Sequence, residues 1–375
     1  MVRGSVRIGH LAGIPIGVQP LWLVIVALIT WSLGASYYPD AVSGIAAVPA
    51  YALGLLSALL LFASILLHEL GHAVVARRHG VTIEEIDLWL LGGVARMKGN
   101  PEAAGDELRF ALAGPAVTLA IAACFGLLAV ALPSSAPAAL RAVVDYQVYV
   151  NVAILAFNLL PAFPLDGGRV ARALIWGRIG DLDRATAIAA RIGRGFGYGM
   201  IGLGVFATVS GAVGGLWLAL IGFFVIAAAK AEEGGLRVRE AFSGREAGRL
   251  MSYPAVAIPL EASVEEAVEG FFVPYRYTAF PVIDGERPVG LIDLDAVERV
   301  PEDRRRATSV AQVATIDPEL IVGEHEDVAA LIERPAFQRL GRAVVRTDAG
   351  GIGVLSITDV RRVLRALKLA SGSSS

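Results

Sequence analysis

Cysteine is almost absent from this chain of 375 residues: Cys124 stands alone, so neither a disulfide framework nor a cysteine-rich metal site can form. Charge is also scarce. Only 18% of residues are charged, against about a quarter in ordinary soluble domains, which excludes a uniformly soluble protein. The two signs nearly cancel, at a formal net charge of −2, and no dense basic block is present, so no nucleic-acid partner is expected. The first apolar run starts near Pro20 without a convincing cleavage site after it, and we expect no cleavable signal peptide. No repeat is visible within the apolar part, which argues against a transporter built from repeated halves.

What is abundant is apolar sequence. Hydrophobic residues make up 55% of the chain and are concentrated before Lys230, after which the composition turns ordinary. A spanning helix needs about 20 mostly apolar residues. Candidates lie at Leu21–Ala35, Tyr51–Ala76, Phe110–Leu132, Val143–Leu160, Gly195–Ala212 and Val213–Ala229. Basic residues alternate between the connections. Arg77, Arg78, Arg96, Lys98 and Arg109 lie between spans two and three, and Arg169, Arg172, Arg178, Arg184, Arg191 and Arg194 between four and five. The other connections hold only Arg141, so both termini are expected in the cytoplasm. The Ala, Gly and Arg richness suggests a bacterial inner (plasma) membrane.

Span two contains His68-Glu69-Leu70-Gly71-His72. On a helix the two histidines sit one turn apart on one face, where both imidazoles reach one Zn²⁺, and Glu69 beside them can act as general base. Ionisable groups inside a membrane are costly and mark function. Asp166 is the candidate third ligand. It follows Pro161 and Pro164, which interrupt an apolar helix, and precedes Gly167 and Gly168, which permit close backbone approach. Asp166 could instead cap the following helix. Asn158, at the same break, can donate to a developing oxyanion or satisfy carbonyls freed by the prolines. His10, His79 and His325 read as a loop residue, an exposed helix end and part of the soluble region.

H-E-x-x-H in one span with N-x-x-P-x-x-P-L-D-G-G-R in a later one resembles the site-2 protease family of intramembrane zinc metalloproteases. The resemblance implies one Zn²⁺ per subunit on His68, His72 and Asp166, Glu69 as catalytic acid/base, and Asn158 assisting substrate or oxyanion. Arg7–Gly17 resembles the family's N-terminal strand pair, and Asp87–Met97 its membrane-dipping β element. There, Gly92 and Gly93 allow an unwound substrate to add as a strand, unless the segment merely anchors through Trp89. Thr118 stands where Asn is common in A-G-P-x-x-N, and Gln19 where His is common. The implied substrate is a single-span membrane protein, such as an anti-sigma factor or a membrane-tethered regulator.

After Ala241 the pattern becomes short strands and helices with an internal duplication. One unit opens at Met251 and a second at Val310. They resemble a pair of CBS repeats, which implies homodimerisation or binding of ATP or another adenine nucleotide. The G-x-x-[ST]-x-x-D run is kept at Gly353, Ser356 and Asp359. In the first repeat Asp293 and Ala296 hold the equivalent places, and an acid there would repel phosphate.

The expected fold is therefore an α-helical polytopic membrane protein of about six transmembrane helices with a short membrane-associated β element, plus a cytoplasmic α/β CBS pair. Expected boundaries are 1–232 for the protease, 233–247 for a linker, 248–370 for the CBS pair and 371–375 for a tail. Rival readings are a nucleotide-regulated transporter or channel and an inactive binding scaffold; intact Glu69 argues against the second.

Overall fold

The structure, a computed structural model, describes residues 6–80, 82–89, 92–98, 103–212 and 214–372. The chain divides into two compact units, Met1–Gly234 and Gly235–Ser375.

The first unit is a helical bundle with one small sheet. Strands β1 (Val6–Leu11) and β2 (Ile14–Val18) form an antiparallel hairpin turned at Ala12 and Gly13. Helix α1 (Leu21–Ser32) passes through a π-helical turn into α2 (Tyr38–Ala41), so Leu21–Ala41 is one span. The other spans are α3 (Ala47–Arg78), α4 (Ala104–Ala131), α5 (Ala138–Asn158), α7 (Leu182–Val209) and α8 (Gly214–Phe242), with the shorter α6 (Asp166–Ile179) between α5 and α7. Among the described residues six helices are thus long and apolar enough to cross a membrane, the number expected.

Each helix runs past the apolar stretch at one end or both, because polar residues continue a helix once water replaces lipid. Asp106 and Glu107 sit in the first turn of α4, and Arg77 and Arg78 in the last turn of α3, as the helix dipole favours. At 32 residues α3 is about 48 Å long, well beyond a hydrocarbon core of about 30 Å. Helix α8 likewise continues to Phe242, through much of the segment expected as a linker.

Strands β3 (Thr82–Trp89) and β4 (Gly92–Lys98) follow α3 and complete a sheet in the order β1-β2-β3-β4, with β2 and β3 parallel. Ile14, Ile16 and Ile86 are buried on one face of it, against Ala73 of α3 with Leu66 and Leu70 beside them. That contact fixes the sheet to the part of α3 that carries both histidines. The expected anchor Trp89 has its side chain outside the described residues.

The second unit holds two sheets. One is ordered β5 (Ile258–Pro259), β6 (Ala279–Asp284), β7 (Arg287–Asp293), β8 (Thr315–Ile316). The other comprises β9 (Ile321–Gly323), β10 (Arg342–Arg346) and β11 (Ile352–Ser356) in the order β11-β10-β9. Leu291, Leu320, Ala336 and Val344 form a shared core cluster between the repeats. The spatial repeats are not the sequential ones. Ser252 bridges to Val354 in the second repeat, and Val310, which opens the second sequence unit, is buried in the core of the first. Each repeat borrows the segment preceding the other, because the unpaired strand edge it completes lies across the pair. The final helix runs Ile357–Gly372, two residues into the expected tail.

Candidate metal centre

Helix α3 delivers His68 and His72 from adjacent turns, both only 5% exposed. Their Nε2 atoms face each other 3.2 Å apart. The break after α5 brings the third group. Pro161 and Pro164 end the helical pattern, Ala162 and Phe163 bury themselves in the turn, and α6 then starts at Asp166. A Cβ on Gly168 would meet the carbonyl carbon of Ala162 at 2.7 Å, so glycine lets this turn close. Asp166 Oδ2 lies 3.1 Å from Nε2 of His68, and Oδ1 lies 3.2 Å from Nε2 of His72.

The donor set fits a cation. Nδ1 of His72 lies 2.8 Å from the carbonyl oxygen of Phe110, which can only accept, so Nδ1 carries the proton. In the neutral ring Nε2 is then a lone pair, pointed at a carboxylate and at the neighbouring Nε2. Such an array is repulsive unless a positive charge sits among the atoms. Asp166 Oδ2 is moreover a buried oxygen with no hydrogen-bond partner. Two imidazole nitrogens and one carboxylate, with ligand atoms all within 4.8 Å of one another, match a three-ligand zinc site. Asp166 is the first residue of α6 but does not cap it: the N-cap position is Leu165, with no side-chain bond to the helix end, and the Asp166 carboxylate reaches both histidines instead.

Glu69 turns toward the sheet. A Cβ built on Gly93 of β4 would collide with the Glu69 side chain and lie 3.2 Å from its Oε1, so the strand's backbone lies directly against this carboxylate. Asn158 is the last residue of α5. The same helix is tied to α3 where Gln147 donates to the carbonyl oxygen of Ser57 at 3.0 Å.

Helix α4 forms the remaining wall, and it supplies what sequence reasoning missed. Thr118 Oγ1 lies 2.8 Å from Nδ1 of His68, and both side chains are buried. Glu107, 1% exposed, accepts from Nε of Arg172 at 2.7 Å and so ties α4 to α6, the helix that begins with Asp166. Arg172 also lies over the ring of Phe163, 5.4 Å from its centroid. Thr118 carried one signal, its place in A-G-P-x-x-N, but that motif does not name His68 as its partner, and a backbone carbonyl carries none. Glu107 carried one, a charge at the start of a membrane helix, but its partner lies 65 residues away.

In the second unit, Ser356 and Asp359 meet at the start of the C-terminal helix. Ser356 Oγ donates to Asp359 Oδ2 at 2.6 Å, and the backbone N–H of Asp359 donates back to that hydroxyl. Gly353 lies three residues earlier on β11, its Cα face against Met251. Asp293 accepts from the N–H of Ala296 at 2.8 Å, capping the equivalent helix of the first repeat.

The family profile of peptidase family M50 matches residues 56–137 and 125–200, which contain every residue of the metal cluster. The CBS domain profile matches residues 247–301. Rip3 of Mycobacterium tuberculosis, which bears the name of a zinc metalloprotease, is 38% identical over 98% of this chain and 95% of its own length. Zinc metalloprotease MJ0392 of Methanocaldococcus jannaschii is 29% identical over 83% of this chain and 85% of its own. A solved structure of the site-2 protease from Methanocaldococcus jannaschii is 31% identical, covers 61% of this chain and 95% of that one, and superposes with a TM-score of 0.40. With near-full-length identity to Rip3 and the M50 profile lying on the helices that bear the cluster, this multi-pass membrane chain belongs to peptidase family M50, the site-2 protease family of zinc metallopeptidases.

Proposed function

We propose that this chain hydrolyses peptide bonds of single-span membrane proteins within or near the bilayer, using one Zn²⁺ held by His68, His72 and Asp166. The observation that carries this reading is the convergence of Asp166 from α6 on the two histidines that flank Glu69 in the long apolar helix α3. Zinc bound there polarises a carbonyl oxygen and lowers the pKa of a coordinated water. Glu69 takes a proton from water as its oxygen attacks the peptide carbon, then hands that proton to the departing amine. Asn158, the last residue of α5 before the broken segment, donates a hydrogen bond to the oxygen that gains charge.

A transmembrane substrate must first unwind, because its carbonyls are closed in helical hydrogen bonds. Among the described residues β4 ends the four-stranded sheet, which supports addition of a substrate strand along its outer edge, and Gly93 sets the face of that edge strand against Glu69. Basic residues cluster at the end of the bundle where α3 finishes and α4 begins. By the positive-inside rule this supports a site toward the cytoplasm, with both termini on that side of an inner membrane. The released product is then a cytoplasmic domain, as with a membrane-tethered regulator or an anti-sigma factor. Residues 1–232 are the protease, 233–247 a linker, 248–370 the CBS pair and 371–375 a tail, a division supported by the split of the chain into Met1–Gly234 and Gly235–Ser375. The CBS pair modulates activity by binding ATP or another adenine nucleotide at Gly353, Ser356 and Asp359, or joins two copies of the chain.

The test is cleavage of a panel of single-span membrane proteins by purified wild type and Glu69→Gln, with zinc quantified in each. Stoichiometric zinc in both, with cleavage by the wild type alone, is the expected result. A folded wild type without zinc would end this reading.

A further inference from the structure

The rings of His68 and His72 are held from behind by a single face of α4. Thr118 meets Nδ1 of His68 and the Phe110 carbonyl meets Nδ1 of His72, each at 2.8 Å. Between them in sequence, a Cβ on Gly114 would strike Nε2 of His72 and come within 2.6 Å of Nε2 of His68. Positions 110, 114 and 118 are four apart and fall on one stripe of the helix. The approach is close because Gly71, inside the histidine motif, faces the backbone of α4; a Cβ there would lie 2.9 Å from the carbonyl oxygen of Ala113.

The two outer contacts are not equivalent. The Phe110 carbonyl comes with the backbone and only accepts, so it locks the tautomer of His72 whatever side chain is present. For His68 the partner is a side-chain hydroxyl, which can donate or accept; when Nε2 turns its lone pair to a cation the ring proton lies on Nδ1 and the hydroxyl accepts it, and an apolar residue of the same shape would remove that partner. Without an acceptor at Nδ1, the His68 proton is free to sit on Nε2, the atom that faces Asp166 and His72, and the ring is free to turn. A hydrogen bond from the ring's second nitrogen also makes the ligating nitrogen a better donor.

We propose that Thr118 is a positioning residue that accepts from Nδ1 of His68 and so holds the ring with Nε2 turned toward the metal. This rests on the metal reading above. Thr118 touches neither substrate nor metal; its effect reaches the site through the imidazole of His68.

The experiment measures zinc affinity of the full-length protein in detergent, by competition with a chelator, for wild type, Thr118→Val and Thr118→Ser. Valine keeps the shape and removes the acceptor, whereas serine keeps the acceptor and removes a methyl group. Loss of an outer hydrogen-bond partner typically weakens metal binding about 10–100-fold. We expect that loss for valine and an affinity within about threefold of wild type for serine. Melting of the zinc-free proteins separates packing from ligand orientation, and the valine variant should melt with the wild type. Should valine prevent folding, Thr118→Ala set against Thr118→Ser gives the same contrast. Equal zinc affinity for wild type and the valine variant would overturn the inference, as would a serine variant as weak as valine. A wild type that binds no zinc would instead refute the metal site itself, a result distinct from either of these.

Discussion

The buried ion pair between Glu107 and Arg172 offers the sharpest test of how the site is assembled. Glu107 has a side-chain exposure of 2% and Arg172 of 18%, so water screens the pair little. One oxygen, Oε1, takes the contacts from Arg172, while Oε2 is buried without a partner. Replacing Arg172 with Met keeps most of the side chain's bulk but strands the carboxylate. Removing one partner of a buried pair typically costs about 3–5 kcal/mol, because the other charge stays uncompensated. The poorly satisfied Oε2 means that wild-type Glu107 is not fully stabilised, so we expect about 3 kcal/mol, the lower end. That is roughly a 150-fold shift in the folded-to-unfolded ratio. The double variant Glu107→Gln/Arg172→Met removes both charges and should recover most of this, since replacing a whole buried pair is often neutral. The assay is reversible unfolding in mixed micelles with rising denaturing detergent, accompanied by zinc occupancy. The single variant should also lose zinc, because Arg172 sits on the helix that begins with Asp166. If Arg172→Met unfolds like the wild type, or if the double variant is no better than the single, the pair does not hold α6 and the reasoning fails.

Gly114→Ala should cost about 1–3 kcal/mol of metal binding, or roughly 5–150-fold in zinc affinity, because the new methyl enters the space beside both Nε2 atoms; unchanged affinity by chelator competition would contradict the geometry. Asp359→Ala should weaken ATP binding about 10–150-fold in calorimetry if that carboxylate holds the nucleotide, the range for a charged hydrogen bond; equal binding would remove Asp359 from the site. His325, in the second unit, faces a carboxylate at each ring nitrogen: donating to Glu246 at 3.1 Å and to Asp348 at 3.2 Å favours the protonated ring and raises its pKa above 6.5. Its contribution to stability is therefore complete below pH 6.5 and is lost as the pH rises through the higher folded value. Histidine NMR titration should show that elevation and its reduction in Glu246→Gln; a midpoint unmoved by the substitution would refute the assignment.

Much of the architecture is legible along the chain because its causes are local. A helix in lipid must be apolar for about 20 residues, and that constraint writes the spans into hydropathy. The spacing of His68 and His72 places them on one face of any helix, whatever surrounds it. Pro161 and Pro164 break α5 through their own rings, and so announce an irregular segment before Asp166. Helix ends were less legible: α8 runs to Phe242 because its charged last turns remain helical in water, where hydropathy suggested a linker. The exchange of edge segments between the two repeats of the second unit was hidden for a related reason, since Val310 reads as the start of the unit whose neighbour it completes.

What only the tertiary structure decided is which groups meet across helices. His68 reaches Thr118 over a separation of 50 residues, and Glu107 reaches Arg172 over 65. Nothing periodic in the sequence encodes either pair. A threonine in an apolar span is neutral until a ring nitrogen faces it, and the Phe110 carbonyl belongs to the backbone and leaves no trace in residue identity. Glycine was ambiguous in the same way. Gly71 and Gly114 read as small residues in helices, and only the approach of α4 to α3 shows that each leaves room for a neighbour. The sequence by itself determined the spans, the two histidines, Glu69 and the broken helix that carries Asp166, because short-range geometry suffices for them. The packing of α4 decided how the histidines are oriented, because hydrogen bonds between helices depend on distances that only the folded bundle sets.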